Sequence, residues 1–254
     1  MLNRVLAVAH GTFRETVRDR LFYLVALFGL ILVAATSVLA PLTVGAQAKI
    51  VADVGLAAMA LLGLLVVLLV GASIVRREME HRTLNTILTK PVGRGEYLFG
   101  KFCGLAMTLA CMVALMGALY VVAVALSPGD LAWSHLGAVY LTFLELLVLN
   151  AIAILFSTVA GPALAAVLAA AMFAIGHLSR SLHEFAAMSG GPAQHLARLA
   201  YRVLPDLEVF NVRAEVVHGD PVAAGHLALA TIYAVGWASV ALLLARIFFG
   251  RKEL

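Results

Sequence analysis

The sequence predicts an all-α membrane protein, a polytopic bundle of six transmembrane helices. Of its 254 residues, 63% are hydrophobic and only 13% are charged, whereas soluble domains average about 45–50% apolar and about 25% charged. The mean hydropathy is +1.01, and six windows reach the length of about 20 apolar residues that a membrane span needs. These values exclude a soluble enzyme, a disordered chain and a nucleic-acid-binding domain.

The six predicted spans leave no room for a soluble domain. They cover residues 21–40, 54–75, 102–126, 136–156, 161–179 and 225–249. Glu145 and Arg246 are the only Lys, Arg, Asp or Glu residues within them. No window alternates like a strand, so residues 1–254 are predicted to form a single transmembrane domain.

The residues before the first span predict an amphipathic helix of their own. Apolar side chains recur in steps of three and four over residues 2–20, while the arginines lie off that stripe. A basic amphipathic helix of this kind lies in the headgroup region of a bilayer. Residues 2–20 are therefore expected to form an elbow helix that precedes the first span.

Basic residues predict the orientation of the bundle. Thirteen of the 18 Lys and Arg residues lie before the first span, in residues 76–101, or at the end of the last span and after it. Cytoplasmic segments carry the excess of Lys and Arg. Both termini are thus expected in the cytoplasm, with the chain in the plasma (inner) membrane.

Residues 76–101 form the segment with the most distinctive pattern, RREMEHRTLNTILTKPVGRGEYLFGK. Leu84, Ile87 and Leu88 make a small apolar face directly after a charged run, which suits insertion of a short helix into a partner groove. Lys90-Pro91 then ends that helix, because the residue before proline disfavours the α region. The alternative is a solvated hairpin whose charges only fix topology.

These residues resemble the permease subunits of type-2 ABC transporters. The pattern is an acidic stretch, a Thr-Leu step, a leucine-like pair, Lys-Pro, an Arg-x-Glu step and Gly-Lys. Its elements are Glu78 and Glu80, Thr83-Leu84, Ile87-Leu88, Lys90-Pro91, Arg94 with Glu96, and Gly100-Lys101. The run Leu204-Pro205-Asp206-Leu207-Glu208-Val209-Phe210-Asn211 is similar to a signature of the copper-enzyme-maturation permeases, including those that serve nitrous oxide reductase. His81-Arg82 departs from the family, which usually has Gly before Thr-Leu.

The resemblance implies a coupling helix at Glu78–Leu88 that docks on a separate ATPase subunit. The implied docking residues are Glu78, Glu80, His81, Arg82, Thr83, Leu84, Ile87, Leu88, Lys90 and Pro91. The chain would be a non-catalytic subunit without a cofactor, with ATP and Mg on the partner ATPase. A second copy of itself or a related permease would complete the transporter in the lipid bilayer, with no nucleic acid involved. Gly95–Lys101 has the spacing of a phosphate-binding loop, but Phe102 stands where that motif needs Ser or Thr.

Two polar residues within the fourth span are candidates for the substrate path. A carboxylate such as Glu145 is costly inside a membrane, which makes it a functional candidate. Asn150 follows five residues later, about 140° around the helix. One of the two is expected to face a subunit interface and the other the translocation path. The alternatives are a protonated Glu145 that ties helices together, and a proton-coupled secondary transporter in which Glu145 carries the proton.

Residues 180–224 predict a long outer loop with short helices, which in the resembling family cap the cavity as an outer gate. Six of the eight histidines fall on this predicted outer side. A membrane haem or metal protein is therefore an alternative, with His177 and His183 as its first ligands. Six residues along a helix point these two about 120° away from a common face, so no metal site is predicted. Gly100-x3-Gly104 is compatible with close helix packing in a dimer.

Overall fold

The computed structural model describes residues 2–39, 47–73, 93–127, 132–178 and 204–250. Within these ranges every regular element is helical and no strand occurs. The α-helices are α1 (Leu2–Ala34), α2 (Gln47–Val66), α3 (Arg94–Ala125), α4 (Trp133–Val159), α5 (Pro162–His177), α6 (Arg213–His218) and α7 (Ala224–Gly250). Two of these helices each end in a turn of π-helix. The turn after α1 covers Ala35–Leu39, and the turn after α2 covers Val67–Gly71.

Four helices of the described residues are long and apolar enough to cross a membrane. They are Gln47–Gly71, Gly95–Ala125, Trp133–Val159 and Ala224–Gly250. The first and fifth predicted spans correspond to shorter apolar helices, Tyr23–Ser37 and Pro162–His177. The all-helical membrane bundle is thus confirmed. Of the six predicted spans, four correspond to helices long enough to cross a membrane.

The N-terminal helix differs from the prediction of an elbow at residues 2–20 and a span from residue 21. A single helix runs from Leu2 to Ala34, which at 1.5 Å per residue is about 50 Å long. The helix runs through the predicted boundary, and this stretch contains no proline and no glycine near residue 20 that would interrupt it. Amphipathic and apolar portions therefore share one axis.

Close packing between α1 and α3 is made by two glycines. A Cβ atom at Gly104 would lie 2.6 Å from the Ala9 carbonyl oxygen, and one at Gly100 would lie 2.8 Å from Val8 Cβ. Such short distances show that no larger residue fits, as is usual where small residues bring helices together in lipid. The Gly100-x3-Gly104 motif, compatible in the sequence with dimerisation, therefore packs within this chain.

Helix α4 is the centre of the bundle, in contact with α2, α3, α5 and α7. Its apolar residues Leu141, Leu146 and Leu149 are fully buried. Helix α7 packs on α4 and buries one stripe of small side chains, Ala230, Ala234, Ala238, Ala241 and Ala245. The connection from α4 to α5 is the tight turn that the sequence predicts, because Gly161 caps α5 and Pro162 occupies its first turn.

Candidate functional site

Glu145 lies on α4 with 3% of its surface exposed. A carboxylate that is buried in this way needs a partner, because its charge is strongly destabilised away from water. Its Oε1 atom has no hydrogen-bond partner among the described residues. The Nε2 atom of His177 lies 3.4 Å from Oε1.

His177 ends α5 and is oriented by its own helix. Its Nδ1 atom lies 3.1 Å from the Phe173 carbonyl oxygen, one turn earlier. The Phe173 ring also packs against the imidazole, with ring centroids 4.5 Å apart. With Nδ1 bound to the helix backbone, Nε2 is directed toward Glu145 on the neighbouring helix.

Residues 204–218, named here the inserted segment, lie on this end of the bundle. A 3-10 turn at Leu207–Phe210 buries both of its end residues against α4 and α5. Helix α6 follows, with Val216 buried against α2. The segment therefore closes over the end of the bundle that holds Glu145 and His177.

Hydrogen bonds fix the backbone of the inserted segment. The amide of Asp206 donates to the Tyr233 hydroxyl at 2.7 Å, and the Asp206 carboxylate accepts from the Glu208 amide at 3.1 Å. The Val209 carbonyl oxygen accepts from His226 Nε2 at 2.9 Å. Because Tyr233 and His226 both belong to α7, the segment is attached to the last long helix.

The inserted segment brings two charges close to Glu145. Arg213 attracts the ionised carboxylate of Glu145, and Glu208 repels it. Glu208 itself accepts a hydrogen bond from Asn211 Nδ2 at 3.0 Å. Glu145 thus lies in a mixed field, with one cation and one further carboxylate on the opposing segment.

Two cavities share Asn211 and Arg213 as lining residues. The smaller measures about 10 Å³, roughly the space of one water molecule, and contains Glu145 and Thr142 in its wall. The larger measures about 500 Å³ and is lined by Lys49, Ile50, Asp53, Asn211, Arg213, Ala214 and Val217. Asn211 and Arg213 line both. These two residues therefore lie next to the small cavity of Glu145 and also next to the larger cavity.

Asn150 lies apart from this group. It is fully buried, and its Nδ2 atom donates to the Phe102 carbonyl oxygen on α3 at 3.2 Å. Glu145 and Asn150 are both buried inside this chain, and their predicted roles at a subunit interface and in the translocation path stay predictions. The 140° between them directs Glu145 toward α5 and the inserted segment, and Asn150 toward α3.

The described histidines of the predicted outer side do not converge. His177 and His226 have the partners given above, His135 bonds to Tyr120 at 2.7 Å, and His218 bonds to the Ala214 carbonyl oxygen at 2.7 Å. Within the part of the chain that the structure describes, no three His, Cys, Asp or Glu residues are grouped as metal ligands. His183 lies outside the described residues.

All ten predicted docking residues, from Glu78 to Pro91, also lie outside the described residues. The description resumes at Gly93, whose amide donates to the Glu96 carboxylate at 3.2 Å and so caps the start of α3. Beside this cap, a Cβ atom at Gly95 would lie 3.2 Å from Arg246 near the end of α7. The predicted coupling loop thus leads into an α3 terminus that packs against α7.

Sequence reasoning missed Thr142, Asn211 and Arg213 as neighbours of Glu145. Asn211 closes the run that resembles the permease signature, but nothing in a linear sequence links that run to the fourth span. Thr142 could have been found, because it precedes Glu145 by three residues and shares its helix face. In the sequence, Arg213 is only one of several charged residues in the predicted outer loop, and nothing in the pattern links it to Glu145.

One family comparison covers nearly the whole chain. A family described as ABC-2 family transporter protein matches residues 6–254. A search of curated proteins found no match.

Proposed function

The chain belongs to the ABC-2 family of transporter proteins, and from this premise we propose that it is the permease subunit of an ATP-driven transporter that works by alternating access. The family match over residues 6–254 is the observation that carries the proposal. Four long apolar helices support a multi-pass membrane subunit. ATP and Mg would bind to separate ATPase subunits, and this chain would transmit their closure to the membrane helices.

The predicted coupling helix, Glu78–Leu88, would be the contact with the ATPase. The packing of α3 supports this role, because α3 follows the loop directly and contacts α1, α2, α4 and α7. A displacement of the loop would therefore reach four other helices. We expect two permease chains per transporter, either two copies or one copy with a related chain, and both termini in the cytoplasm.

The substrate path would pass the inserted segment. Its support is the larger cavity, which shares Asn211 and Arg213 with the small cavity beside Glu145. Asn150, predicted from the sequence together with Glu145, has a hydrogen bond that favours a different role, a tie between α4 and α3. Membership of the copper-enzyme-maturation group of permeases stays a prediction from the signature at residues 204–211.

Purification from native membranes tests the proposal. A tagged chain should retain an ATPase subunit, and the complex should hydrolyse ATP in liposomes. Changing Leu84→Ser should remove the ATPase, because it takes an apolar contact from the docking face. Leu126→Ser is the matched control, since Leu126 is 83% exposed and lies at the end of α3, away from the loop. Retention of the ATPase by both variants would contradict docking through Leu84.

A proton-coupled secondary transporter is the second candidate, favoured by the contact between Glu145 and His177. It predicts that the purified chain alone moves substrate in liposomes along a pH gradient, without ATP. Loss of all transport when the ATPase is removed would reject this candidate.

A further inference from the structure

The hydrogen bond of His177 determines which of its ring nitrogens can accept a proton. The Phe173 carbonyl oxygen, 3.1 Å from Nδ1, can only accept a hydrogen bond, so Nδ1 carries hydrogen. In a neutral imidazole the other nitrogen, Nε2, then presents a lone pair. That atom is the one that lies 3.4 Å from Glu145 Oε1.

Without an additional proton, this contact would bring two acceptors together. An ionised Glu145 and a neutral His177 would present lone pairs to each other, and Oε1 has no other hydrogen-bond partner among the described residues. A single proton on either atom converts the contact into an attractive one. The difference matters because Glu145 is buried on α4, where little water is available to satisfy an unmatched carboxylate oxygen.

The charges around the contact lead to the same conclusion. With one proton, the pair of Glu145 and His177 is neutral overall, and Arg213 balances Glu208. Without it, one uncompensated negative charge is left beside the buried Glu145. Outside the pair, the charges of Glu208 and Arg213 on the inserted segment act on Glu145, and Lys49 and Asp53 line the larger cavity.

We propose that Glu145 and His177 hold one proton between them, and that this proton-binding site keeps the inserted segment closed over α4. The segment lies directly over the carboxylate, since Phe210, Asn211, Val212 and Arg213 line the small cavity beside it. The larger cavity, which shares Asn211 and Arg213, is the route by which a proton reaches the pair. The site is independent of the coupling loop and goes beyond the proposed ATP-driven function.

Linkage between the proton and the segment sets the direction of the pH effect. When the segment moves away, water reaches Glu145 and stabilises its charge, so the open state binds the proton less tightly than the closed state. Lower pH therefore favours closure, and rising pH favours opening.

Spectroscopy on the intact chain in lipid nanodiscs tests the shared proton directly. Infrared spectra at neutral pH should show a carboxylic-acid C=O band that Glu145→Gln removes, or nitrogen NMR should show a doubly protonated His177. Either result supports the proposal, because the proton belongs to the pair. An ionised Glu145 together with a neutral His177 at neutral pH would overturn it. Glu215→Gln is the matched control, since Glu215 is exposed on α6.

Thiol labelling tests the link to the inserted segment. In a chain carrying Cys103→Ala and Cys111→Ala, the reporter is Thr142→Cys, whose side chain lines only the small cavity. Ala214 lines the larger cavity and not the small one. The labelling rate of Ala214→Cys therefore serves to correct for the change of thiol reactivity with pH. Between about pH 5 and 8, the corrected labelling rate of Thr142→Cys should rise roughly tenfold, a size typical of coupling between two sites. A rate that does not change with pH would overturn the link.

Two further variants separate a proton switch from simple loosening. Glu145→Gln keeps the shape of the side chain and can donate to Nε2, as the protonated acid does. Labelling of Thr142→Cys should then be slow at every pH. His218→Gln removes an exposed histidine of the same segment and should leave the pH response intact. If Glu145→Gln labels rapidly at low pH, the proton is not what holds the segment closed.

Discussion

Gly176 determines how closely the inserted segment approaches α5. A Cβ atom at this position would lie 2.6 Å from Leu207 Cγ and 3.1 Å from the Pro205 carbonyl oxygen. Side-chain atoms of Leu207 could shift, but the carbonyl oxygen belongs to the backbone of the segment. The absence of a side chain at this single residue therefore permits the closure over Glu145.

Changing Gly176→Val should displace the inserted segment. We expect a loss of stability of about 1–3 kcal/mol, as for other overpacked sites, measured by thermal unfolding in detergent. Labelling of Thr142→Cys should become faster at all pH values. Gly236→Ala on α7 is the control, because nothing lies within 4 Å of its Cβ position and alanine favours the helix. Equal unfolding temperatures for the two variants would contradict this packing role.

Tyr120 makes a buried hydrogen bond between two long helices. Its hydroxyl lies 2.7 Å from His135 Nδ1, and its ring lies against Gly55, where a Cβ atom would approach to 2.6 Å. Tyr120→Phe keeps the ring and removes only the hydroxyl. We expect a loss of about 0.5–1.5 kcal/mol in unfolding free energy.

Tyr140→Phe provides the comparison for Tyr120→Phe. The Tyr140 hydroxyl also bonds between helices, to Thr231 Oγ1 at 2.9 Å, but this bond is exposed. Its removal should change the unfolding temperature less, since the partner left behind is not buried. A larger effect of Tyr140→Phe would show that burial does not set the strength of these bonds.

At the scale of elements, the contact between α1 and α3 joins the N-terminal helix to the predicted coupling loop. A Cβ atom at Gly104 would meet backbone atoms of α1, the Ala9 carbonyl oxygen at 2.6 Å and Ala9 Cα at 3.1 Å. A backbone contact cannot be relieved by a change of rotamer. Since α3 follows the loop directly, α1 should move together with the start of α3.

Gly104→Ala should therefore separate α1 from α3. We expect destabilisation of about 1–3 kcal/mol and weaker coupling of ATP hydrolysis to transport in the assembled complex. Gly11→Ala on α1 is the matched control, because its Cβ position is open and the change should be neutral or slightly stabilising. If the complex with Gly104→Ala transported normally, the coupling of ATP hydrolysis to transport would not depend on this contact.

The elements that could be predicted from sequence are those whose signal is local. Long apolar windows predicted the four spans, and Gly161-Pro162 predicted the start of α5. The predicted division near residue 20 into an elbow and a span is not confirmed: one helix runs through it, because a change of amphipathicity does not break a helix that lacks glycine and proline there. The surroundings of Glu145 could not be predicted, because His177 and Arg213 reach it from other helices, and helical periodicity describes one helix at a time.

At the scale of the whole molecule, the two ends of the bundle differ in composition. One end joins the start of α3 to the end of α7, where Tyr97 and Phe249 stack with ring centroids 6.2 Å apart. The other end carries the inserted segment, His177 and the larger cavity. The positions of Lys and Arg in the sequence predict the first end in the cytoplasm. With that orientation, proton access through the larger cavity would come from outside.

Reporter fusions test this orientation. A fluorescent protein attached after residue 254 should fluoresce, because it folds in the cytoplasm. Alkaline phosphatase inserted at Gly219, an exposed turn with φ of 82° directly after α6, should be active, because it requires the outer compartment. The reverse pattern would invert the bundle and direct the larger cavity toward the cytoplasm. In that case the pH that controls the Glu145–His177 pair would be cytoplasmic, and external pH would leave Thr142→Cys labelling unchanged.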